Sequence, residues 1–293
     1  MAISELQLAI KPSLSPSELD DVDALVREAR WNQITADWQV FLAHGRVYAL
    51  VTPEGRIVAT TATLPYGGRL AWISMVLVAG EYRRHGLATQ LMRRAMEELA
   101  AAGLVPALDA TPDGRAVYRR LGFTDSWGFA RLIRRERQAA AAAPFGVPAG
   151  VIIRPVTDAD WPALCAYDAS GFGAERGAVL AGLRGRLPSA ELVAERAGRV
   201  AGFLLGRDGM LAGHLCPLIA DDDTIACALI ARALEALDGP LFIDLADDKT
   251  AVRRFLETRG FAPVRPFTRM IYGTLPRFDD PARTFAVVGP EFG

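Results

Sequence analysis

WISMVLVAGEYRRHGLAT, residues 72–89, decides the reading of this chain. Trp72 to Val78 are almost all apolar, as in a strand buried on both faces. Arg83-Arg84-His85-Gly86 follows as a short basic turn, and from Leu87 the pattern becomes helical. Leu87, Leu91, Met92, Ala95, Met96 and Leu99 fall on one stripe, with Arg93, Arg94, Glu97 and Glu98 facing the other way. The first turn of such a helix presents unpaired backbone N–H groups and the positive end of its dipole, which together attract a phosphate or pyrophosphate. Gly86 lets the backbone approach an anion with no side chain between them, Ala88 allows close packing at the helix start, and Arg83 and Arg84 add charge.

Outward from this stretch, the chain contains its own approximate copy. Ile10-Lys11-Pro12 is answered by Ile153-Arg154-Pro155, and Gly55-Arg56-Ile57-Val58-Ala59 by Gly198-Arg199-Val200-Ala201-Gly202, at the same interval from the proline in each half. Gly103 to Asp109 is matched by Gly239 to Asp244, and both halves close a helix at Leu121-Gly122-Phe123 or Arg259-Gly260-Phe261. Arg131 and Arg269 then follow the phenylalanine at the same spacing. Two copies are too few for a solenoid, so the expectation is a duplicated α/β unit, an α+β mixed sheet flanked by helices in each half. Residues 138–150, rich in alanine, proline and glycine and free of charge, read as the linker between a domain at 1–137 and another at 151–293.

The 293 residues suit two domains, and a net charge of −1 gives no field to steer the chain onto nucleic acid or an anionic membrane. Arg131, Arg134, Arg135 and Arg137 cluster before the linker, but without interleaved aromatics they read as a solvated face. Cys165, Cys216 and Cys227 form no metal-binding spacing and read as buried thiols in a reducing compartment. The N-terminus has no basic region followed by a long apolar core, and no run approaches the roughly 20 apolar residues of a membrane span. A cytoplasmic protein is expected, with no metal, nucleic-acid or membrane partner; an oligomer is compatible with all of this.

Val78 followed by Arg83-Arg84-His85-Gly86-Leu87-Ala88 resembles the acetyl-CoA signature of the GNAT superfamily, and Tyr118-Arg119-Arg120-Leu121-Gly122-Phe123 is similar to that family's closing helix. Trp31-Asn32-Gln33 with Asp37, and Leu108-Asp109-Ala110-Thr111-Pro112, look like a bacterial tandem-GNAT subgroup. The resemblance implies transfer of an acetyl group from acetyl-CoA, a cosubstrate, to a small-molecule or peptide amine by direct attack in a ternary complex. It places Val76, Leu77, Val78, Arg83, Arg84, His85, Gly86, Leu87, Ala88 and Thr89 at acetyl-CoA, with backbone N–H groups of the splayed strand facing the thioester carbonyl. Tyr118 becomes the candidate general acid for the departing thiolate, against a role as a core tyrosine. Asp109 is a candidate base, as is His44, against a strand-end role for the one and a loop position for the other. Acceptor selection is expected at Trp31, Asn32, Gln33, Asp37, Trp72 and Met75, each of which could equally cap a helix or fill the core. An acidic Asp37 or Asp109 would favour a cationic amine.

In the second half, His214 to Ala220 leads into Asp221-Asp222-Asp223-Thr224, where carboxylates suit a helix N-terminus and repel a pyrophosphate. Leu256 stands where the first half has Tyr118. The second domain is therefore expected to be degenerate toward acetyl-CoA and to form a wall of the acceptor site or a structural support, with Asp168, Ser170, Phe172 and Arg176, in a segment read as a loop, as further contributors. The alternative is a non-catalytic module that senses acyl-CoA.

Overall fold

The computed structural model describes residues 3–136, 145–273 and 277–293, so Arg137 and linker residues 138–144 lie outside the described residues. The first half runs β1 (Gln7–Lys11), α1 (Pro16–Ala29), α2 (Thr35–His44), β2 (Arg46–Val51), β3 (Ile57–Tyr66), β4 (Leu70–Val78), α3 (Leu87–Ala101), β5 (Val105–Ala110), α4 (Pro112–Arg120) and β6 (Phe123–Arg134). The second half repeats the order with β7 (Val151–Pro155), α5 (Trp161–Phe172), α6 (Gly177–Ala181), β8 (Leu192–Arg196), β9 (Arg199–Arg207), β10 (Gly213–Ala220), α7 (Asp223–Leu234), β11 (Leu241–Ala246), α8 (Thr250–Glu257) and β12 (Ala262–Tyr272), then adds β13 (Thr284–Ala286).

Local chemistry sets the helix starts. Ser15 and Glu18 form a reciprocal capping box on α1, Thr111 accepts from Gly114 N at the head of α4, and Asp222 accepts from Ile225 N to cap α7. Within the acidic run Asp222 is thus the helix cap, while Asp221 accepts from Tyr167 Oη at 2.7 Å. On α3, Leu87, Leu91, Met92, Ala95 and Leu99 are buried as the stripe requires. The segment read as a loop around Gly171 and Gly173 is instead the end of α5: Gly171 is helical, and Gly173 terminates the helix in the left-handed conformation, φ 86°.

Among the described residues thirteen strands join one sheet, in the order β1-β2-β3-β4-β5-β12-β6-β11-β13-β10-β9-β8-β7. The centre of that order is an exchange between the halves. β6, which ends the first half, pairs with β11 of the second, and β12, which ends the second, pairs with β5 of the first. The repeated Asp and Arg landmarks are the clasps of this exchange. Arg269 on β12 donates through Nε and Nη2 to Asp109 on β5, both at 2.9 Å, and Arg131 on β6 donates likewise to Asp244 on β11, at 2.8 and 2.7 Å. Arg131 and Arg134 are therefore buried rather than part of a solvated face, Arg134 donating to Leu237 O; Arg135 is exposed.

Beyond β13 the chain turns back into the first half. Phe292 stacks on Phe41 at 5.0 Å between ring centroids, Tyr66 Oη donates to Phe292 O at 2.9 Å, and Trp72 Nε1 donates to Pro290 O at 2.9 Å. One hydrophobic core consequently runs from Val22 of the first half through Phe172 and Phe203 of the second to Phe292.

Candidate active site

β4 and β5 run parallel and pair only at Leu70–Trp72 with Val105–Ala107. From Ile73 onward the β5-facing edge of β4 has no ladder partner, while its other edge stays bonded to β3. A bulge sharpens the separation: Met75 and Val76 stand opposite the single residue Thr61, Met75 adopts φ 51°, and its carbonyl accepts from Thr60 Oγ1 at 2.8 Å. A bulge increases local twist, which turns the end of β4 away from β5.

The opening is a cavity of about 820 Å³. Val76, Leu77 and Val78 line it along β4, and Arg83, Arg84, Gly86, Leu87, Ala88 and Thr89 line it where the loop enters α3. Arg84 and Gly86 adopt positive φ, 65° and 78°. A Cβ built on Gly86 meets nothing within 4 Å, so packing does not demand glycine there; the backbone conformation does, and the space in front of it stays open. Arg83 is held by Val78 O at 3.0 Å and Glu28 at 2.8 Å, which fixes the loop against α1. His85 is exposed and does not line the cavity.

Tyr118 enters from α4, and its ring passes close to Gly114, where a Cβ would lie 2.9 Å from Tyr118 Cε2. Burial pushes its phenol up to about 12, so the hydroxyl keeps its proton at neutral pH. Asp109 also faces the cavity, but both its oxygens accept from Arg269, whose guanidinium lies 4.6 Å from the ring centroids of Trp72 and Trp127. Burial pushes the Asp109 carboxyl up to about 6 while Arg269 pulls it down. This geometry makes Asp109 a clasp between exchanged strands, each oxygen taking one bond from Arg269. His44 lies on a different surface, near Tyr48 and Glu98.

The six residues expected at the acceptor divide. Trp31, Gln33 and Met75 line the cavity, and the Gln33 Oε1 atom is buried without a hydrogen-bond partner. Asn32 turns the other way: its side chain accepts from Leu211 N and Ala212 N at 2.9 and 3.0 Å and donates to Ala212 O at 3.0 Å, tying the halves together. Asp37 caps α2 through Ile34 N and binds Arg186 at 2.7 Å and Arg207 at 2.9 Å, both from the second half. Trp72 lies under the C-terminal segment. These three are joints of the fold, because a buried polar group or indole N–H must find a partner and here each finds it across the two halves.

The sequence reading missed Arg131, Arg265, Phe267, Pro290 and Glu291, which complete the wall opposite β4. Of these only Arg131 carried a signal, its repeat with Arg269. Asp168 and Arg176 form a buried pair beneath the C-terminal segment and do not reach the cavity.

In the second half the equivalent gap is filled. β10 and β11 pair only at Gly213–Leu241 and His214–Phe242, and β13 lies between their separated ends, bonded to Leu218 and Ile219 on one side and Leu245 on the other. Main chain occupies the place that is open between β4 and β5. Cys216 and Cys227 are buried free thiols, whereas Cys165 is only half-buried. Among the described residues no group of three His, Cys, Asp or Glu side chains is placed to hold a metal, and no helix is long and apolar enough to cross a membrane.

Two family models match the chain: the acetyltransferase (GNAT) family over residues 9–123, and an acetyltransferase (GNAT) domain over residues 164–286. An uncharacterised N-acetyltransferase of Bacillus subtilis, YitH, is 22% identical over 223 residues, covering 76% of this chain and 77% of the relative. A structure from Pyrococcus horikoshii assigned as a candidate acetyltransferase superposes with a TM-score of 0.76 at 19% identity, over 98% of this chain and 96% of the other. A tandem GNAT protein from the clavulanic acid biosynthesis pathway gives 0.63 at 14% identity, over 92% and 99%. At these identities the solved structures speak for the fold alone.

Proposed function

The chain belongs to the GNAT superfamily in both of its halves, and from this we propose that the first half is an N-acyltransferase that binds acetyl-CoA in the opening between β4 and β5 and passes its acetyl group to an amine. The observation that carries the reading is the junction of two features: an unpaired strand edge at Ile73–Val78 runs directly into the Gly86 turn at the head of α3. The pyrophosphate is assigned to the N–H groups of Leu87, Ala88 and Thr89 with Arg84 beside them, and the pantetheine arm to the unpaired edge of β4. The open space before Gly86 fits that assignment. Acetyl-CoA supplies the thioester; the chain supplies position and charge.

Backbone N–H groups at Val76–Val78 are the candidates to stabilise charge developing on the carbonyl oxygen, in a cavity whose low polarity strengthens them. Tyr118, protonated at neutral pH, is the candidate donor to the departing sulfur. The attacking amine enters from the wall built by β12, β6 and the C-terminal segment, which makes the second half part of the acceptor site. We assign the chain a single cofactor site, since β13 fills the corresponding gap in the second half. The test is release of free thiol from acetyl-CoA across a panel of primary amines: release that depends on the amine and yields the acetamide supports the reading, and release no faster than without protein across the panel counts against it.

A further inference from the structure

We propose that the amine acceptor also carries an anionic group, a carboxylate or a phosphate, and that Arg265 receives it. The proposal rests on the acyl-transfer reading for the existence of an acceptor, and on the cavity wall for its charge. Arg265 on β12 stands opposite Arg131 on β6 in the sheet register, and like charges facing each other on neighbouring strands repel. Arg131 is balanced by its two bonds to Asp244. Arg265 makes no ion pair with any described residue, and its Nε is buried with no acceptor.

The buried guanidinium groups around the acceptor wall have carboxylates, whereas Arg265 is half-buried: Arg269 has Asp109, Arg131 has Asp244, and Arg207 has Asp37 and Glu291. Arg265 alone among these lines the cavity with its charge unspent. Burial and the neighbouring Arg131 press its pKa below the ordinary value, and the Asp244 carboxylate, already bonded to Arg131, offsets this only in part. It is nevertheless held in place, its guanidinium 4.8 Å from the centroid of Phe267, which stacks on Phe129 at 5.1 Å. Arg265, Phe267 and Arg269 alternate along β12 and so share one sheet face, the face on which Arg269 covers Trp72. A guanidinium at the edge of the cavity, with no carboxylate bonded to it, offers a fork of N–H donors that suits a carboxylate or phosphate better than a neutral group.

The test uses matched pairs: L-amino acids with their carboxamides, and phosphoethanolamine with ethanolamine. Binding of each to the full-length protein is measured calorimetrically with and without free CoA, and turnover by thiol release, for wild type, Arg265→Gln and Arg265→Lys. Wild type is expected to favour the anionic member of at least one series by about tenfold or more, the worth of a charge-assisted pair, and the favoured series identifies carboxylate or phosphate. Arg265→Gln should lose that preference and Arg265→Lys retain part of it, with acetyl-CoA affinity equal in all three proteins. Should the glutamine variant not fold, the lysine variant carries the comparison. Equal or tighter binding of the neutral members, no binding of either member of any pair, or a preference that survives Arg265→Gln would overturn the proposal. A fall in acetyl-CoA affinity with Arg265→Gln would also overturn it, assigning the arginine to the cofactor. An anionic preference in a protein that binds no acetyl-CoA would reject acyl transfer and leave the anion subsite standing.

Discussion

Replacing Arg269 by methionine keeps much of its volume and removes its charge from a site where neither it nor Asp109 is exposed. Two hydrogen bonds at 2.9 Å disappear, and the Asp109 carboxylate is left buried without a cation. Breaking a buried pair in this way costs about 3–5 kcal/mol. Losing the cation between Trp72 and Trp127 adds about 1 kcal/mol. Against a total stability on the order of 5–15 kcal/mol, the Arg269→Met variant should be severely weakened. The sign of its pH dependence follows from Asp109. Without Arg269 the folded-state pKa rises further above the unfolded value, so the folded protein holds the proton more tightly and stability falls as pH rises. The deficit should therefore be larger at pH 8 than at pH 5. Urea denaturation of wild type, Arg269→Met, Asp109→Asn and the double variant measures it, with the double variant regaining at least half of the loss. A cost below about 1 kcal/mol for Arg269→Met, or a double variant no more stable than the single one, would refute the reasoning about buried charge.

Tyr118→Phe should lower kcat by about 100-fold while leaving acetyl-CoA affinity unchanged, and equal loss in both would move the tyrosine from proton transfer to cofactor binding. Gly114→Val should produce a milder loss of kcat, since its side chain meets the Tyr118 ring where even a Cβ would lie at 2.9 Å; an unchanged rate would show that the ring position is immaterial. His214 is buried neutral, its pKa pushed down to about 4 by burial. Because the unfolded chain takes up the proton at higher pH than the folded one, stability should drop as pH falls from about 6.5 toward 4, by at most roughly 3 kcal/mol from this residue. Thermal melts at a series of pH values should flatten over that window in His214→Gln, and an unchanged slope would exclude His214 as its source.

The helix starts were readable because their causes are local. The α3 stripe, the positive-φ glycine before it and the carboxylate cap at Asp222 are each set by residues within a turn or two. The duplication was readable as well, since it needs only a comparison of spacings. What escaped was the pairing of its parts. β6 and β12 carry equivalent sequences, and either could complete either half; periodicity gives a strand its faces but not its neighbour. The landmarks Asp109, Arg131, Asp244 and Arg269 were visible as a repeat, yet only the exchange explains why aspartate and arginine recur together. Asn32 and Asp37 looked like recognition residues because they are polar and lie close to Trp31; their partners across the halves lie far along the chain, at 186 and at 207–212. Glu291 and Pro290 reach the cavity only because the C-terminal segment folds back over Trp72.

We assign one acetyl-CoA site per chain, at the opening between β4 and β5. Calorimetric titration of acetyl-CoA into the wild-type protein and into an Arg84→Ala, Gly86→Glu double variant tests it most directly. A stoichiometry of one is expected, abolished in the variant, whose added carboxylate would project into the open space before the helix; no binding by the folded wild type, or two sites per chain, would rule out a single site between β4 and β5.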